Sequence, residues 1–207
     1  LPDDKLTVGS AGRLVAMLPK KCDSACVGMG MTIAKPEALL VLVKKLKGQG
    51  TQLLLDASAL IPQVLSEIRG SDSVVTPHAG EFRRLFGVDP GTTEKERVAS
   101  VARMAKEHEI TILLKGPTDV VANPVQVGIN RVHNSAMTVG GTGDVLSGIV
   151  ATLMAKKMKP FDASLVGVYL NGLAGNIAFG KVGLHMVATD IIDSLAEAMK
   201  QFDVISK

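Results

Sequence analysis

Residues 139–148 read Val-Gly-Gly-Thr-Gly-Asp-Val-Leu-Ser-Gly, with glycines at 140, 141 and 143 directly ahead of an apolar run of helical length. Glycine lets the backbone approach a ligand closely, and the N-terminus of a helix carries a partial positive charge. The stretch therefore predicts a helix whose first turn cradles an anion. Asp144 falls in that turn, where a carboxylate either caps the helix or takes a proton from a hydroxyl group that attacks phosphorus. The Gly-Lys-Ser/Thr ending of a Walker loop is absent.

Apolar strands and helices alternate along the rest of the chain. Aliphatic runs predict strands over residues 25–28, 52–56, 73–77 and 110–115, and a hairpin over 120–129 that turns at Asn123-Pro124. Helical patterns cover residues 36–47, 80–86, 94–108, 143–157, 161–179 and 190–202. Strands that are buried on both faces read as continuous aliphatic runs, as these do. We therefore predict an α/β fold with three layers, α/β/α, around a mostly parallel sheet, and a single domain over residues 1–207.

A polar residue or a glycine follows each of the four predicted parallel strands. Gly28-Met-Gly30 follows the first strand, Asp56 the second, Thr76-Pro-His-Ala-Gly-Glu81 the third and Lys115-Gly116 the fourth. Taken singly, these features are explained by a turn, a helix cap, a structural histidine and a solvated lysine. The carboxyl ends of parallel strands, however, form the binding crevice of an open α/β sheet. Because the features recur at consecutive strand ends, we expect them to meet in one crevice.

The composition argues against several classes of function. A formal charge of +3, five Phe, one Tyr and no Trp give little basis for binding nucleic acid or an anionic membrane. Cys22 and Cys26 lack the further ligands of a zinc site, and two cysteines are typical of a reduced, cytoplasmic chain. The uncharged stretch over 163–180 is long enough for a membrane span, but its glycines and asparagines favour a buried helix. We expect no nucleic-acid partner, no membrane and a cytoplasmic location.

With these residues assembled, the chain resembles the ribokinase-like superfamily and, within it, the ADP- or ATP-dependent NAD(P)H-hydrate dehydratases. The most specific matches are Val75-Thr-Pro-His-Ala-Gly-Glu-Phe82 and Gly140-Gly-Thr-Gly-Asp-Val-Leu-Ser-Gly148. The supporting matches are Gly28-Met-Gly-Met31, Leu54-Leu-Asp-Ala-Ser-Ala-Leu60, Leu113-Leu-Lys-Gly116 and Val168-Tyr-Leu-Asn-Gly-Leu-Ala-Gly175. The resemblance runs from about residue 25 to the C-terminus and implies a ribokinase-like fold.

The resemblance implies a repair reaction. The hydrated nicotinamide ring of NADHX or NADPHX is phosphorylated on its hydroxyl group and then loses phosphate, which regenerates NADH or NADPH. By matching position, Asp144 is the base, and Gly30, His78 and Asp144 contact the hydrated dinucleotide. Glu81 occupies the place of a glutamate that acts through Mg²⁺ in related kinases. The residues implied on the nucleotide side are Lys115, Gly116, Pro117, Thr118 and Asp119, with Gly141, Thr142 and Gly143 as the anion hole.

The implied phosphoryl donor is ADP or ATP with Mg²⁺, and the sequence does not choose between the two nucleotides. We also expect a homo-oligomer and, as is common for this family, an associated epimerase domain. Members of the family carry a glycine-rich strand-helix portion before the position of Gly28, and residues 1–24 do not match it. We therefore expect that this N-terminal portion is missing from the chain or is supplied separately.

Two other functions remain open at this point. The first is a small-molecule kinase of the same superfamily, acting on a hydroxymethylpyrimidine or a thiazole, which would share Asp144 and the glycine loop. The segment Thr76–Phe82 favours the dehydratase over this kinase. The second is a nucleotide-binding module without catalysis, and an intact Asp144 argues against it.

Overall fold

The computed structural model describes residues 5–18 and 22–204. Within them, six strands form one sheet in chain order: β1 (Ser24–Val27), β2 (Gln52–Leu55), β3 (Val74–Val75), β4 (Thr111–Leu114), β5 (Asp119–Ala122) and β6 (Val127–Asn130). The first four strands are parallel, and the last two run antiparallel to their neighbours. This arrangement confirms the mostly parallel sheet and the hairpin that turns at Asn123-Pro124. The carboxyl ends of β1 to β4 lie side by side, which brings the residues that follow them to one edge.

Eight α-helices lie in the described part of the chain: α1 (Val8–Met17), α2 (Pro36–Gly48), α3 (Leu65–Ile68), α4 (Ala79–Phe86), α5 (Glu94–His108), α6 (Thr142–Ala155), α7 (Pro160–Val182) and α8 (Ala188–Lys200). All six predicted helices are present. Helices α1 and α3 had not been predicted. At the start of α1, Thr7 Oγ1 accepts a hydrogen bond from Ser10 N (3.1 Å), and Ser10 Oγ accepts one from Thr7 N (2.8 Å).

The sheet separates two aliphatic cores, and successive residues of one strand face opposite cores. Leu53 and Leu55 of β2 are completely buried in the core that includes residues of α1, α2 and α5. Leu54, between them, is completely buried in the core that includes residues of α6 and α7. Since helices cover both faces, continuous aliphatic strands are what the sheet requires. The three-layer α/β/α arrangement is therefore confirmed.

Helix α7 contains the uncharged stretch that had raised the membrane question. By length and composition alone, the helical segment Pro160–His185 could cross a membrane, but more than half of its apolar stretch is buried inside the protein. Its buried residues Phe161, Ala163 and Val168 belong to the core shared with α6, and Ala174 and Ala178 belong to a third, smaller cluster that also includes residues of α8. The burial supports the interpretation of α7 as a core helix.

A glycine allows α7 to touch the loop after β6. A Cβ atom added at Gly172 would lie 1.7 Å from the carbonyl oxygen of Val132, so no larger residue fits without moving the backbone. Gly180, on the same helix, has open space around it and is exposed. The contact with Val132 therefore requires glycine at position 172, whereas no neighbouring atom requires it at position 180.

We expect Gly172→Ala to lower the free energy of unfolding by roughly 1–3 kcal/mol, because the added methyl group overpacks against backbone. Gly180→Ala is the matched control and should raise that free energy by about 0.5–1 kcal/mol, because alanine loses less conformational entropy in a helix. Denaturant unfolding of both variants measures the difference. Equal stability of the two would contradict the close contact between α7 and Val132.

Candidate functional site

The edge at which β1 to β4 end is shaped by Gly28. Its φ angle of +121° lies in the left-handed region, and a Cβ atom there would lie 1.9 Å from the carbonyl oxygen of Asp56. The carbonyl oxygen of Gly28 in turn accepts a hydrogen bond from Ser58 Oγ (2.7 Å). Glycine at 28 thus lets the loops after β1 and β2 pack together. Gly30 also has a positive φ of +62°, but it is exposed and has nothing within 4 Å of an added Cβ atom.

The first turn of α6 presents unpaired backbone donors to this edge. Gly141 adopts a left-handed conformation (φ 91°) at the N-cap and has no side chain to cap the helix. The first N–H groups of an α-helix have no partner within the helix, so those at the start of α6 are free to bind an anion. The hydroxyl of Thr142 is not free, because it donates towards the carbonyl oxygens of Met137 (2.9 Å) and Val139 (3.0 Å). Thr142 therefore holds the glycine loop in place.

Lys115 brings a positive charge to the same turn. Its ammonium nitrogen lies 3.5 Å from the position that a Cβ atom of Gly143 would take. It donates to Asp56 Oδ1 at 2.9 Å and lies 3.9 Å from Glu81 Oε2. Residues that follow β2, β3 and β4 thus meet at the N-terminus of α6, as the strand-end positions predicted.

His78 is the N-cap of α4. Its Nδ1 atom accepts hydrogen bonds from the backbone N–H groups of Gly80 (3.0 Å) and Glu81 (3.3 Å), while Glu81 Oε2 accepts one from the His78 N–H (2.9 Å). This reciprocal pair is a capping box with histidine at the cap. Because Nδ1 is an acceptor here, the proton of the neutral imidazole is assigned to Nε2. The histidine therefore has a structural role, while 60% of its side chain stays exposed.

The turn between β4 and β5 is built around a buried carboxylate. Asp119 accepts hydrogen bonds from Gly116 N and from Asn130 Nδ2, each at 3.0 Å. Burial raises the pKa of Asp119, and the hydrogen bonds from Asn130 and Gly116 act in the opposite direction. Arg97 supports the turn from α5, where its guanidinium donates to the carbonyl oxygens of Lys115 (3.2 Å) and Thr118 (3.4 Å). The sequence had not indicated any role for Arg97 or Asn130.

A cavity of about 880 Å³, here named the Lys115 cavity, opens beside this turn. It is lined by residues of the N-cap of α4, the β4–β5 turn, the loop after β6, α6 and α7: His78, Lys115, Gly116, Pro117, Asp119, Val132, His133, Asn134, Ser135, Met137, Thr138, Val139, Thr142, Gly143, Leu146, Val168, Asn171 and Gly172. Six of the residues proposed to bind the nucleotide thus line this one cavity. Thr118 and Gly141 do not line it.

Two polar side chains of the Lys115 cavity that were not proposed from the sequence have buried atoms without hydrogen-bond partners among the described residues. Asn171 is 6% exposed, and its Oδ1 atom has no hydrogen-bond partner among the described residues. The Nδ1 atom of His133 is likewise buried and unpartnered within that part of the chain. Unsatisfied buried polar atoms are costly and call for an explanation such as a missing ligand. The only sequence signal for Asn171 was its place in the supporting family match over residues 168–175, and His133 had none.

Asp144 lies on the other side of the first turn of α6. It is exposed and lines a more apolar groove of about 660 Å³ between α6 and α8, here named the Asp144 groove. His78 lines the Lys115 cavity instead, and Gly30 lines neither space. The structure therefore does not gather Gly30, His78 and Asp144 in one cavity of the described residues.

The Glu81 carboxylate near Lys115 fits a metal ion that arrives with a nucleotide. No group of three or more His, Cys, Asp or Glu side chains in the described residues could hold a metal ion by itself. Magnesium is commonly held by one or two carboxylates together with substrate phosphates and waters. Glu81 Oε2 already accepts the N–H of His78, so this residue fits contact with Mg²⁺ through water. The donor set suits Mg²⁺ bound to phosphate and does not suit a metal held by the protein alone.

Comparison with known proteins connects this geometry to a family. A family model described as NAD(P)H-hydrate dehydratase matches residues 9–197. The ADP-dependent (S)-NAD(P)H-hydrate dehydratase of Nitrosopumilus maritimus is 48% identical over 205 residues, which cover 99% of this chain and 71% of the relative. A bifunctional NAD(P)H-hydrate repair enzyme of Pyrobaculum aerophilum is 40% identical over 84% of this chain and 34% of its own length.

A solved structure agrees with these relatives. The ADP/ATP-dependent NAD(P)H-hydrate dehydratase of Bacillus subtilis, co-crystallised with ATP/Mg²⁺, superposes with a TM-score of 0.78. It is 27% identical, and the match covers 92% of this chain and 69% of that structure. Sequence and structure lead to the same assignment: this chain belongs to the NAD(P)H-hydrate dehydratase family.

Proposed function

We propose that this chain dehydrates NADHX and NADPHX to NADH and NADPH, with ADP as the phosphoryl donor. The observation that carries the proposal is the first turn of α6, whose free N–H groups and neighbouring Lys115 ammonium face one cavity while Asp144 faces another space. A phosphoryl group held at that turn would be reached by its donor from one side and by its acceptor from the other. The choice of ADP is supported by the name of the 48% identical relative.

The nucleotide would occupy the Lys115 cavity with its phosphates at the N-terminus of α6. There the N–H groups and the ammonium would stabilise negative charge on the transferred group. The adenine base of the nucleotide would lie towards the apolar wall that includes Val132 and Val168. The unpartnered atoms of Asn171 and His133 on that wall could then bond to the edge of the base. Magnesium, bound to the phosphates, would supply further charge neutralisation.

The hydrated dinucleotide would approach the same turn from the side of the Asp144 groove. Asp144 would take the proton of the ring hydroxyl as its oxygen attacks the terminal phosphorus of ADP. A new bond forms between that oxygen and phosphorus, and the bond from phosphorus to the bridging oxygen breaks, which releases AMP. The ring then loses phosphate and a neighbouring proton, and the double bond of the reduced nicotinamide is restored. The products are NADH or NADPH, AMP and phosphate.

The cellular location, the oligomeric state and the partners of the enzyme are part of the same proposal. We expect the reaction in the cytoplasm, catalysed by a homo-oligomer, without nucleic acid or membrane as partners. An epimerase domain that acts beside this one remains a prediction, supported by the bifunctional name of the Pyrobaculum relative.

The proposal is tested by mixing the protein with NADHX, ADP and Mg²⁺ and following the absorbance of the reduced nicotinamide.

We expect Asp144→Asn to bind ADP like the wild type but to turn over roughly 10²- to 10⁴-fold more slowly, because the base is lost. Asn retains the shape and the capping capacity of Asp. Turnover at the wild-type rate in this variant would make Asp144 a helix cap. A phosphorylated acceptor that accumulates, for example from a hydroxyethylthiazole, would favour the kinase function instead.

We expect Gly143→Val to abolish ADP binding, because its methyl groups would fill the space between the first turn of α6 and the Lys115 ammonium. Gly143→Ala is the matched control, since its Cβ atom would stand 3.5 Å from Lys115 Nζ, an ordinary contact. Calorimetry measures affinity, and circular dichroism verifies the fold of both variants. Unchanged affinity in a folded Val variant would show that phosphate does not bind at this turn.

We expect His78→Ala to lose about 1 kcal/mol of stability, because the cap of α4 is removed. His78→Asn should retain most of the stability, since its side chain can still accept the backbone N–H groups. His78 lines the Lys115 cavity, so a contact with bound ADP would show as a loss of ADP affinity in both variants. The contact with the hydrated dinucleotide that the family resemblance implies would instead lower kcat/KM for NADHX roughly ten- to hundredfold through a higher KM, with little change in ADP affinity. A normal KM together with a normal ADP affinity in both variants would restrict His78 to the cap.

A further inference from the structure

Asp56 is a buried carboxylate that the proposed reaction has not yet used. It follows β2, its side chain is 2% exposed, and it does not line the Lys115 cavity. Both of its oxygens are nevertheless occupied. Oδ1 accepts from Lys115 Nζ (2.9 Å) and Ala57 N (2.8 Å), and Oδ2 accepts from Ser147 Oγ (2.9 Å). One carboxylate thus joins the ends of β2 and β4 to α6.

Capping alone does not account for this residue. Asp56 caps the short 3₁₀ turn Ala57–Ala59 through a single bond, which an uncharged Asn or Ser could also make. A carboxylate buried to this extent is costly unless its charge is paired. The charge is paired by Lys115 and supported by the hydroxyl of Ser147, which is itself completely buried. The feature that requires an acid at position 56 is therefore the ammonium group.

The Lys115 ammonium lies at the first turn of α6, where the proposed function places the transferred phosphoryl group. Lysine has a flexible four-carbon stem and would otherwise sample many rotamers. In this structure it is held at the first turn of α6, 3.5 Å from the place of a Cβ atom at Gly143. Glu81 Oε2 is the other carboxylate oxygen nearby, at 3.9 Å. Because Ser147 lies one helical turn after Gly143, the Asp56 carboxylate fixes the lysine and the helix relative to each other.

We propose that Asp56 is a positioning residue that acts through Lys115: it holds the ammonium at the N-terminus of α6, where the transferred phosphoryl group binds. This inference rests on the proposed function. It assigns to Asp56 no contact with either substrate. Its consequence is that the effect of Asp56 on phosphate binding and on turnover exists only while Lys115 is present.

The test is a double-mutant cycle with Asp56→Asn, Lys115→Met and the double variant. Asn keeps the size and the cap of Asp56, and Met keeps the stem of Lys115. The first measurement is the affinity for pyrophosphate by calorimetry. We expect Lys115→Met to weaken binding roughly tenfold and Asp56→Asn roughly three- to tenfold, since hydrogen bonds to charged groups are lost or misplaced. The double variant should bind like Lys115→Met alone.

The second measurement is turnover of NADHX with ADP. Asp56→Asn should lower kcat by roughly 10- to 100-fold, because a cation displaced by about 1 Å no longer matches the transition state. In the Lys115→Met background the same substitution should have no further effect on kcat. Glu197→Gln, which removes an exposed ion pair with Lys181, is the control and should leave both measurements unchanged.

Losses that add up in the double variant would overturn the proposal, because Asp56 would then act independently of Lys115. Tighter pyrophosphate binding by Asp56→Asn would also overturn it, since Asp56 would then only oppose anions. If Asp56→Asn does not fold, Ser147→Ala replaces it, with a smaller loss that must likewise vanish beside Lys115→Met. A wild type that binds pyrophosphate but does not convert NADHX would refute the proposed function, while the binding cycle would still decide the role of Asp56.

Discussion

The buried charge of Asp56 is the constraint on which the site depends. A carboxylate that is removed from water must be met by donors, and here they come from β4, α6 and the turn after β2. Two further bonds hold α6 against β1, from Ser24 Oγ to Ala151 O (2.7 Å) and from Cys26 Sγ to Ser147 O (3.2 Å). Helix α6 is thus fixed to the sheet along its length. Its free N–H groups are therefore placed by the sheet as well as by the loop that precedes them, to which Thr142 is hydrogen-bonded.

The fold was largely predictable because its strands are buried on both faces. Continuous aliphatic runs such as 52–56 and 110–115 leave little choice of conformation, and the observed strands start and end within a few residues of the predicted limits. Helix α1 was missed for a physical reason. It contains Gly9 and Gly12, which lower helix propensity, and its capping box uses Ser10 where Glu or Gln is usual. Tertiary packing, through buried Ala11 and Val15, outweighs the weak local preference.

The candidate site was predictable as a set of residues and not as a set of contacts. The rule for strand ends brought Asp56, Glu81 and Lys115 to one edge, but β3 lies between β2 and β4, so the ion pair depends on the reach of a lysine side chain. The cap made by His78 was hidden because histidine is not a usual N-cap residue. Asn171 and His133 reach the same cavity only because α7 approaches the loop after β6. No local sequence pattern encodes that contact.

Helix geometry explains how one turn can present a carboxylate on one side and meet a cation on another. Successive residues of an α-helix are rotated by about 100°, so Gly143 and Asp144 face different sides of the first turn. If Lys115 and Asp144 shared a side, they would attract each other, and a paired carboxylate is a poor proton acceptor. The ammonium is paired with Asp56 instead, and Asp144 makes no ion pair with the residues that the structure describes. In the proposed reaction, the buried acid would keep the lysine available to phosphate and would leave the exposed acid free to accept a proton. The absence of a side chain at Gly143 completes the arrangement, because a β-branched group there would fill the space between the ammonium and the backbone N–H groups to which the proposed function assigns the phosphoryl group.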